Sequence, residues 1–133
     1  MMFEDFRLRH IPALFTATAQ FFGGMWALFG QNGARNAMIE YGLPPRIAEA
    51  PETWPVMTGI SGRTTVTGLL MFVFYFRRRY DVLDTFMAVM GVYLAVLDPC
   101  VLWGLASKGW CIFRGVSTFA IGLMGYYGVT AGR

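Results

Sequence analysis

The stretch GVYLAVLDPCVLWGL, residues 91–105, decides how the rest of the chain is arranged. It is almost wholly apolar, yet Asp98 lies inside it and Pro99 follows directly. A carboxylate in such a segment is costly unless it is paired, hydrated or protonated. Pro99 also frees the backbone carbonyl one turn earlier and permits a helix to bend. We therefore expect a functional site to form around Asp98, among the helices that pack against this segment.

The composition is that of an integral membrane protein. Of the 133 residues, 14% are charged and 56% are hydrophobic, whereas soluble proteins carry about 25% charged residues. This number of charged side chains is too small to cover the surface of a soluble domain of this size. The formal net charge of +3 is better explained by membrane topology and by anionic lipid headgroups than by nucleic acid, which is not an expected partner.

Four apolar stretches have about the twenty residues that cross the hydrocarbon core of a bilayer. We predict an all-α protein, a single membrane domain folded as a four-helix transmembrane bundle, with helices at about 11–29, 58–76, 82–105 and 110–129. The first stretch is expected to be retained rather than cleaved as a signal peptide. The polar connection 31–57 is a candidate lid, and its part Ala34–Tyr41 predicts a short helix that stops at Gly42.

Basic residues predict the orientation of these spans. The triplet Arg77–Arg79 lies between the second and third stretches, and such clusters mark the cytoplasmic side. Both chain termini are then cytoplasmic, and the long loop lies on the other side of a multi-pass protein of the endoplasmic reticulum or another endomembrane. Cys100 and Cys111 share that non-cytoplasmic side, so they form a disulfide or are two small buried apolar residues.

Three ionisable side chains share one depth in the predicted bundle. Asp98, Arg63 and Arg114 all fall within roughly 6–11 Å of the non-cytoplasmic surface at the rise of an α-helix, and they are the candidate catalytic residues. The candidate ligand-binding residues are Gln31, Asn36 and Glu40 from the loop and Gln20 from the first helix. A structural reading remains beside this one, in which one Asp–Arg pair only locks two helices together, and Gln20 is more typical of an interhelical hydrogen bond.

The familiar catalytic and cofactor motifs are absent. One His and two Cys leave no metal-ligand cluster, and no glycine-rich phosphate loop follows a strand, so neither a metal nor a cofactor is expected. Acid–base chemistry without a cofactor remains, such as a cyclase or isomerase acting on a lipophilic small molecule at one carboxylic acid. The alternative is a non-catalytic membrane subunit or scaffold, partnered by a membrane enzyme or by further copies of itself.

Three runs of sequence carry a resemblance to a known family. They are RNAMIEYGLPP (35–45), GISGRTTVTGLLMFVFYFRRR (59–79) and DTFMAVMGVYLAVLD (84–98). Over about residues 30–125 the chain resembles an uncharacterised family of small four-helix membrane proteins, a domain of unknown function that is frequent in fungi and also found in bacteria. For some fungal members the resemblance implies an accessory or cyclase/isomerase-like role on a lipophilic secondary-metabolite intermediate. No family catalytic residues transfer to this chain.

Overall fold

The computed structural model describes residues 4–29 and 32–132, and within these ranges the protein is helical, with no β-strand. The α-helices are α1 Ile11–Met25, α2 Gly33–Tyr41, α3 Pro45–Ala48, α4 Trp54–Phe76, α5 Tyr80–Leu102 and α6 Lys108–Tyr126, with short 3₁₀ segments at Leu8–His10, Trp26–Leu28 and Pro51–Thr53. The all-α prediction is confirmed. The described residues form six α-helices rather than four, because the predicted lid contains α2 and α3.

The long helices depart from their predicted bounds for local reasons. Helix α4 begins at Trp54 instead of residue 58, because Pro55 in the first turn needs no hydrogen-bonded N–H. Helix α5 ends at Leu102, and the following turn contains Gly104 at φ +85°. Helix α6 begins at Lys108, where the Ser107 hydroxyl accepts the N–H of Trp110 as a cap. The predicted short helix in the lid is confirmed as α2, which stops at Gly42.

The long helices pack as two close pairs, α1 with α4 and α5 with α6, and contacts between the pairs are sparse. Glycines permit the close approach inside each pair. A Cβ atom at Gly68 of α4 would overlap the backbone of Phe21 in α1, and one at Gly91 of α5 would overlap the backbone of Gly122 in α6. Small residues at such contacts are typical of helices that associate within membranes.

The two pairs meet at the end of the molecule that holds the arginine triplet. A buried cluster there joins α1, α4 and α5. Its members are Ala13, Ala17, Met71, Tyr75, Leu83 and Met87. Elsewhere the long helices present exposed apolar side chains. Among the described residues, two segments, Pro51–Phe76 and Tyr80–Leu102, are long and apolar enough to cross a membrane. Helix α1, with 15 residues, is shorter than one span.

At the opposite end, α2 contacts both helix pairs. It packs on α4 and on the 3₁₀ turn that follows α1, and Met38 is buried there. Tyr41 at its last turn reaches α5 and α6 through hydrogen bonds. The predicted lid is therefore a folded element that connects the two pairs where the long helices themselves do not.

Three helices end in the same hydrogen-bonded motif, but one of them lacks glycine at the critical position. After α4, the Arg79 N–H donates to the Phe74 carbonyl and the Arg78 N–H donates to the Tyr75 carbonyl, which is the Schellman pattern. Equivalent bonds follow α2 at Gly42 and α6 at Gly128, both with positive φ. Arg78 adopts φ +58° in this left-handed position, where a side chain is unfavourable by roughly 1–2 kcal/mol.

We expect Arg78→Gly to raise the free energy of unfolding by up to about 1 kcal/mol through relief of this left-handed conformation. The substitution also removes an ion pair with Asp5 at 2.8 Å, but both side chains are at least half exposed, so that pair contributes less than about 1 kcal/mol. Denaturation of the detergent-solubilised protein measures the change. Asp5→Asn isolates the ion pair, and Arg77→Gly is the control at negative φ. A larger loss in Arg78→Gly than in Asp5→Asn would contradict the expectation.

Candidate functional site

Asp98 lies in the buried side of α5 and accepts two hydrogen bonds. The Tyr41 hydroxyl donates to Oδ1 at 2.8 Å, and Arg114 Nη2 donates to Oδ2 at 3.3 Å. Only 10% of the Asp98 side chain is exposed, against 27% for Arg114. Each carboxylate oxygen thus has one donor, and the charge of Asp98 is compensated by a guanidinium that reaches the surface.

Helix geometry around Pro99 sets the distance between Asp98 and Arg114. Helix α5 continues through Pro99, although proline removes the N–H that would bond to the Ala95 carbonyl. Gly115 of α6 lies against this position, where a Cβ atom would stand 2.9 Å from the Pro99 ring and 3.3 Å from the Ala95 oxygen. Because Gly115 has no side chain, α6 can approach α5 at Pro99. Arg114, the residue before Gly115, then reaches Asp98.

Aromatic rings enclose the Arg114 guanidinium. Its Cζ lies 4.6 Å from the centre of the Tyr41 ring and 6.0 Å from that of the Trp110 ring, both within the range of cation–π attraction. Trp110 Nε1 also donates to the Tyr41 backbone carbonyl at 3.0 Å. Within the described part of the chain, the buried Arg114 Nε has no hydrogen-bond partner. We call Tyr41, Asp98, Trp110 and Arg114 the Tyr41 cluster.

Burial raises the pKa of the Tyr41 phenol well above its usual value, and the hydrogen bond to Asp98 raises the pKa further. Tyr41 is therefore a neutral hydroxyl donor at physiological pH. The chain turns sharply directly after it, at Gly42 with φ +116°, and a Cβ atom at Gly42 would lie 2.6 Å from Trp110 Nε1. Gly42 thus allows Tyr41 and Trp110 to contact each other.

A surface groove of about 370 Å³ adjoins the Tyr41 cluster. It lies between the end of α2 and the start of α6, and its lining residues are Ile39, Glu40, Gly42, Ala106, Ser107 and Trp110. The groove shares Trp110 with the cluster, and Glu40 supplies a carboxylate at its wall. A ligand in this groove would therefore lie next to the aromatic enclosure of Arg114.

The structure brings some of the sequence-predicted site residues together and separates others. Asp98 and Arg114 form the expected pair, and Glu40 lines the groove. Arg63 is exposed on α4 and makes no ion pair or hydrogen bond through its side chain with any described residue. Asn36 is exposed and accepts a bond from Arg35, while Gln20 is half-buried in α1. Gln31 lies outside the described residues.

The two cysteines are free thiols in the structure. Cys100 is exposed on α5, whereas Cys111 is buried on α6. The structure therefore has no disulfide, and the alternative reading of two small buried residues is correct for Cys111 and wrong for Cys100. As for metals, no three His, Cys, Asp or Glu side chains gather into a possible ligand set in residues 4–29 and 32–132.

Comparison with known families decides where the chain belongs. The profile of a domain of unknown function (DUF4267) matches residues 17–128, which is most of the chain and includes every residue of the Tyr41 cluster. The chain belongs to the DUF4267 family. A search of the curated proteins and a search of the solved structures found no match.

This DUF4267 protein has a second buried polar cluster, which sequence reasoning missed, at the end that holds the arginine triplet. His10 is buried there; its Nδ1 lies 3.1 Å from the Tyr75 hydroxyl, and its ring packs on Tyr80 with centroids 4.6 Å apart. The backbone N–H of Arg7 donates to the same Nδ1 at 3.4 Å. Because a backbone N–H only donates, this contact favours a neutral imidazole with its proton on Nε2.

Asp84 is the second buried carboxylate of this DUF4267 protein, and it holds the segment after α6. It accepts the backbone N–H groups of Thr130 at 3.0 Å and Ala131 at 2.7 Å. Its side chain is fully buried. The only sequence signal was a carboxylate near the start of an apolar run, and its partners are backbone groups that no side-chain pattern shows.

Burial of His10 predicts acid sensitivity. Burial lowers the pKa of His10, the nearby Arg9 and Arg7 lower that pKa further, and Asp5 and Asp84 oppose the change. Above about pH 6.5, the pKa of histidine in an unfolded chain, His10 is neutral in both the folded and the unfolded protein. As the pH falls below that value, the unfolded chain binds a proton that the folded protein resists, so stability decreases.

Thermal unfolding between pH 8 and pH 5 tests this expectation. In the wild type, the midpoint temperature of unfolding should decrease as the pH drops below about 6.5. The decrease should be shallower in His10→Gln, whose amide does not titrate. An unchanged slope in that variant would show that carboxylates alone cause the acid sensitivity.

Proposed function

We propose that this DUF4267 protein is a multi-pass membrane protein that binds a lipophilic small molecule with an oxygen-bearing polar end. The ligand would lie in the groove beside Trp110, with its oxygen at the Tyr41 cluster. The observation that carries the proposal is the buried, unpartnered Arg114 Nε behind Trp110, whose ring lines a groove of about 370 Å³ and lies 6.0 Å from Arg114 Cζ. A secondary-metabolite-like intermediate fits this description and agrees with the family resemblance.

The membrane placement is supported by composition and by two segments, Pro51–Phe76 and Tyr80–Leu102, that are long and apolar enough to cross a membrane. We propose that α1, lengthened by the 3₁₀ turn Trp26–Leu28 that continues it, and α6 complete four spans. Both termini are then cytoplasmic because of Arg77–Arg79. The endoplasmic reticulum or another endomembrane is the proposed location. The Tyr41 cluster and its groove would then face the non-cytoplasmic side, where α2 covers the ends of the long helices.

The chemistry of the Tyr41 cluster favours an acceptor oxygen. A buried N–H without a partner is unfavourable by about 1–3 kcal/mol, and a ligand carbonyl or carboxylate would relieve that deficit. Trp110 and Ile39 provide apolar contact for the remainder of the molecule. Glu40 at the groove wall would favour ligands with a hydroxyl or amine at that point.

An isomerase or cyclase activity without a cofactor is the catalytic form of this proposal. Tyr41 would give its hydroxyl proton to a substrate oxygen while the Asp98 carboxylate takes a proton from a neighbouring carbon, which converts a ketone to its enol. The phenolate of Tyr41 then recovers the proton from the Asp98 acid across their 2.8 Å hydrogen bond. Every proton is balanced within the pair, and Arg114 compensates the negative charge throughout.

A non-catalytic membrane subunit is the second candidate function. It is favoured by the complete pairing of Asp98, whose two oxygens already have donors within the protein. In that role the Tyr41 cluster would only lock α2 onto α5 and α6. The two candidates differ in whether Arg114 Nε takes part in binding.

Binding of a fluorescent polyunsaturated fatty acid, cis-parinaric acid, to the protein in lipid nanodiscs tests the proposal. We expect Arg114→Lys to bind the probe roughly tenfold more weakly than the wild type, because lysine keeps the charge facing Asp98 but lacks Nε. Arg46→Lys is the matched control at an exposed position of α3 and should bind normally. Equal affinity of Arg114→Lys and wild type, or no binding above empty nanodiscs, would refute the ligand role.

A further inference from the structure

The outward face of α4 carries a cation that nothing in the described protein neutralises. Arg63 is exposed, and its side chain makes no ion pair or hydrogen bond in residues 4–29 and 32–132. It lies about 14 Å along α4 from Trp54 at the rise of about 1.5 Å per residue. The exposed side chains before and after it on the same face are Ile60 and Val66. An unpaired charge in such apolar surroundings is costly within a membrane.

Two glycines beside Arg63 have no packing role within the part of the chain that the structure describes. A Cβ atom at Gly59, one turn before Arg63 on the same face, would meet nothing within 4 Å, and the same is true of Gly62. In contrast, Gly68 on the opposite face contacts α1. A glycine inside a helix is unfavourable by roughly 0.5–1 kcal/mol relative to alanine. The internal packing of the described residues does not explain Gly59 and Gly62.

We propose that this face, formed by Gly59, Gly62, Arg63 and Val66, binds a transmembrane helix of a different protein that carries an Asp or Glu at the depth of Arg63. The glycines allow the two backbones to approach closely, as at other membrane helix contacts. The carboxylate would neutralise Arg63 in a region with no water. The inference rests on the membrane placement proposed above and is independent of the ligand role of the Tyr41 cluster.

A second copy of this chain does not supply the required carboxylate. All eight acidic residues lie in the described ranges. Asp84 and Asp98 are buried and bonded within the fold. The remaining six lie outside the middle of the long helices, in connections, in α2 or in the first turn of α5: Glu4, Asp5, Glu40, Glu49, Glu52 and Asp81. Charge complementarity therefore selects a different membrane protein as the partner.

A designed peptide tests the face directly. The probe is a leucine–alanine transmembrane peptide with one Asp at the depth of Arg63, labelled for energy transfer to the labelled protein in phosphatidylcholine vesicles. We expect the wild type to bind this peptide roughly tenfold more tightly than the same peptide with Leu in place of Asp. Arg63→Leu should lose the preference, whereas Arg77→Leu, at the other end of α4, should keep it.

A bulky substitution separates the face from the fold. Gly59→Leu should weaken binding of the peptide while thermal unfolding stays unchanged or improves, since a side chain there meets open space. An equal preference in Arg63→Leu and wild type would overturn the inference. So would an Arg63 effect that appears only in phosphatidylglycerol vesicles, because the cation would then bind a lipid headgroup. Release of the protein from vesicles by alkaline carbonate would instead refute the membrane placement on which the inference depends.

Discussion

Arg114→Leu should lower the free energy of unfolding by about 3–5 kcal/mol, because it leaves the Asp98 charge buried without its partner. The Tyr41 hydroxyl would be the one remaining donor to that carboxylate among the described residues. Leucine also removes the cation that lies over the rings of Tyr41 and Trp110. We expect α2 to separate from α5 and α6 in this variant, in addition to the loss of global stability.

A double-mutant cycle identifies the pair as the cause. Asp98→Leu alone should destabilise the protein as well, because the guanidinium and the Tyr41 hydroxyl lose their acceptor. The double variant Asp98→Leu/Arg114→Leu should recover much of the loss, since no buried charge remains. Unfolding in detergent with increasing denaturant gives the four free energies. Additive effects in the double variant would show that the two side chains do not interact.

The all-α class and the long helices were accessible from sequence, because apolar runs and turn residues report directly on helices. The four long helices follow from apolar stretches of about twenty residues, and Gly42 indicates the end of α2. The bounds moved by a few residues where a first-turn proline or a serine cap outweighed the hydropathy pattern, as at Pro55 and Ser107. The pairing of α1 with α4 and of α5 with α6 depends on glycine contacts that hydropathy does not encode.

The candidate site was accessible only in part, because depth along a helix does not give its rotation. Asp98 and Arg114 share a depth and also face each other, so counting residues was sufficient for that pair. Arg63 lies deeper, about 14 Å from the start of α4 at the rise of an α-helix. It also faces outward, since Ser61 and Gly68 occupy the side of α4 that packs on α1. Tyr41 was missed because the position of α2 against α5 and α6 is a tertiary contact without a local sequence signal.

The second large effect is expected at the contact between α5 and α6. Gly91→Ala should destabilise the protein by roughly 1–3 kcal/mol, the range for overpacking, because the new Cβ atom would overlap the backbone of Gly122 and approach the Thr118 carbonyl at 2.9 Å. Backbone atoms cannot rotate away as a side chain would, so the two helices must separate. That separation would also disturb Asp98 and Arg114, which lie further along the same two helices, and Gly91→Ala should therefore reduce binding of cis-parinaric acid.

Gly62→Ala is the matched control for this effect. It introduces the same methyl group in the middle of a long helix, but its Cβ atom would meet nothing within 4 Å. The helix preference of alanine over glycine should then raise stability by about 0.8–1.0 kcal/mol. The two variants are thus expected to change the unfolding free energy in opposite directions under the same denaturation protocol. If Gly91→Ala were as well tolerated as Gly62→Ala, the close backbone contact between α5 and α6 would be refuted, and with it the geometry that brings Arg114 to Asp98.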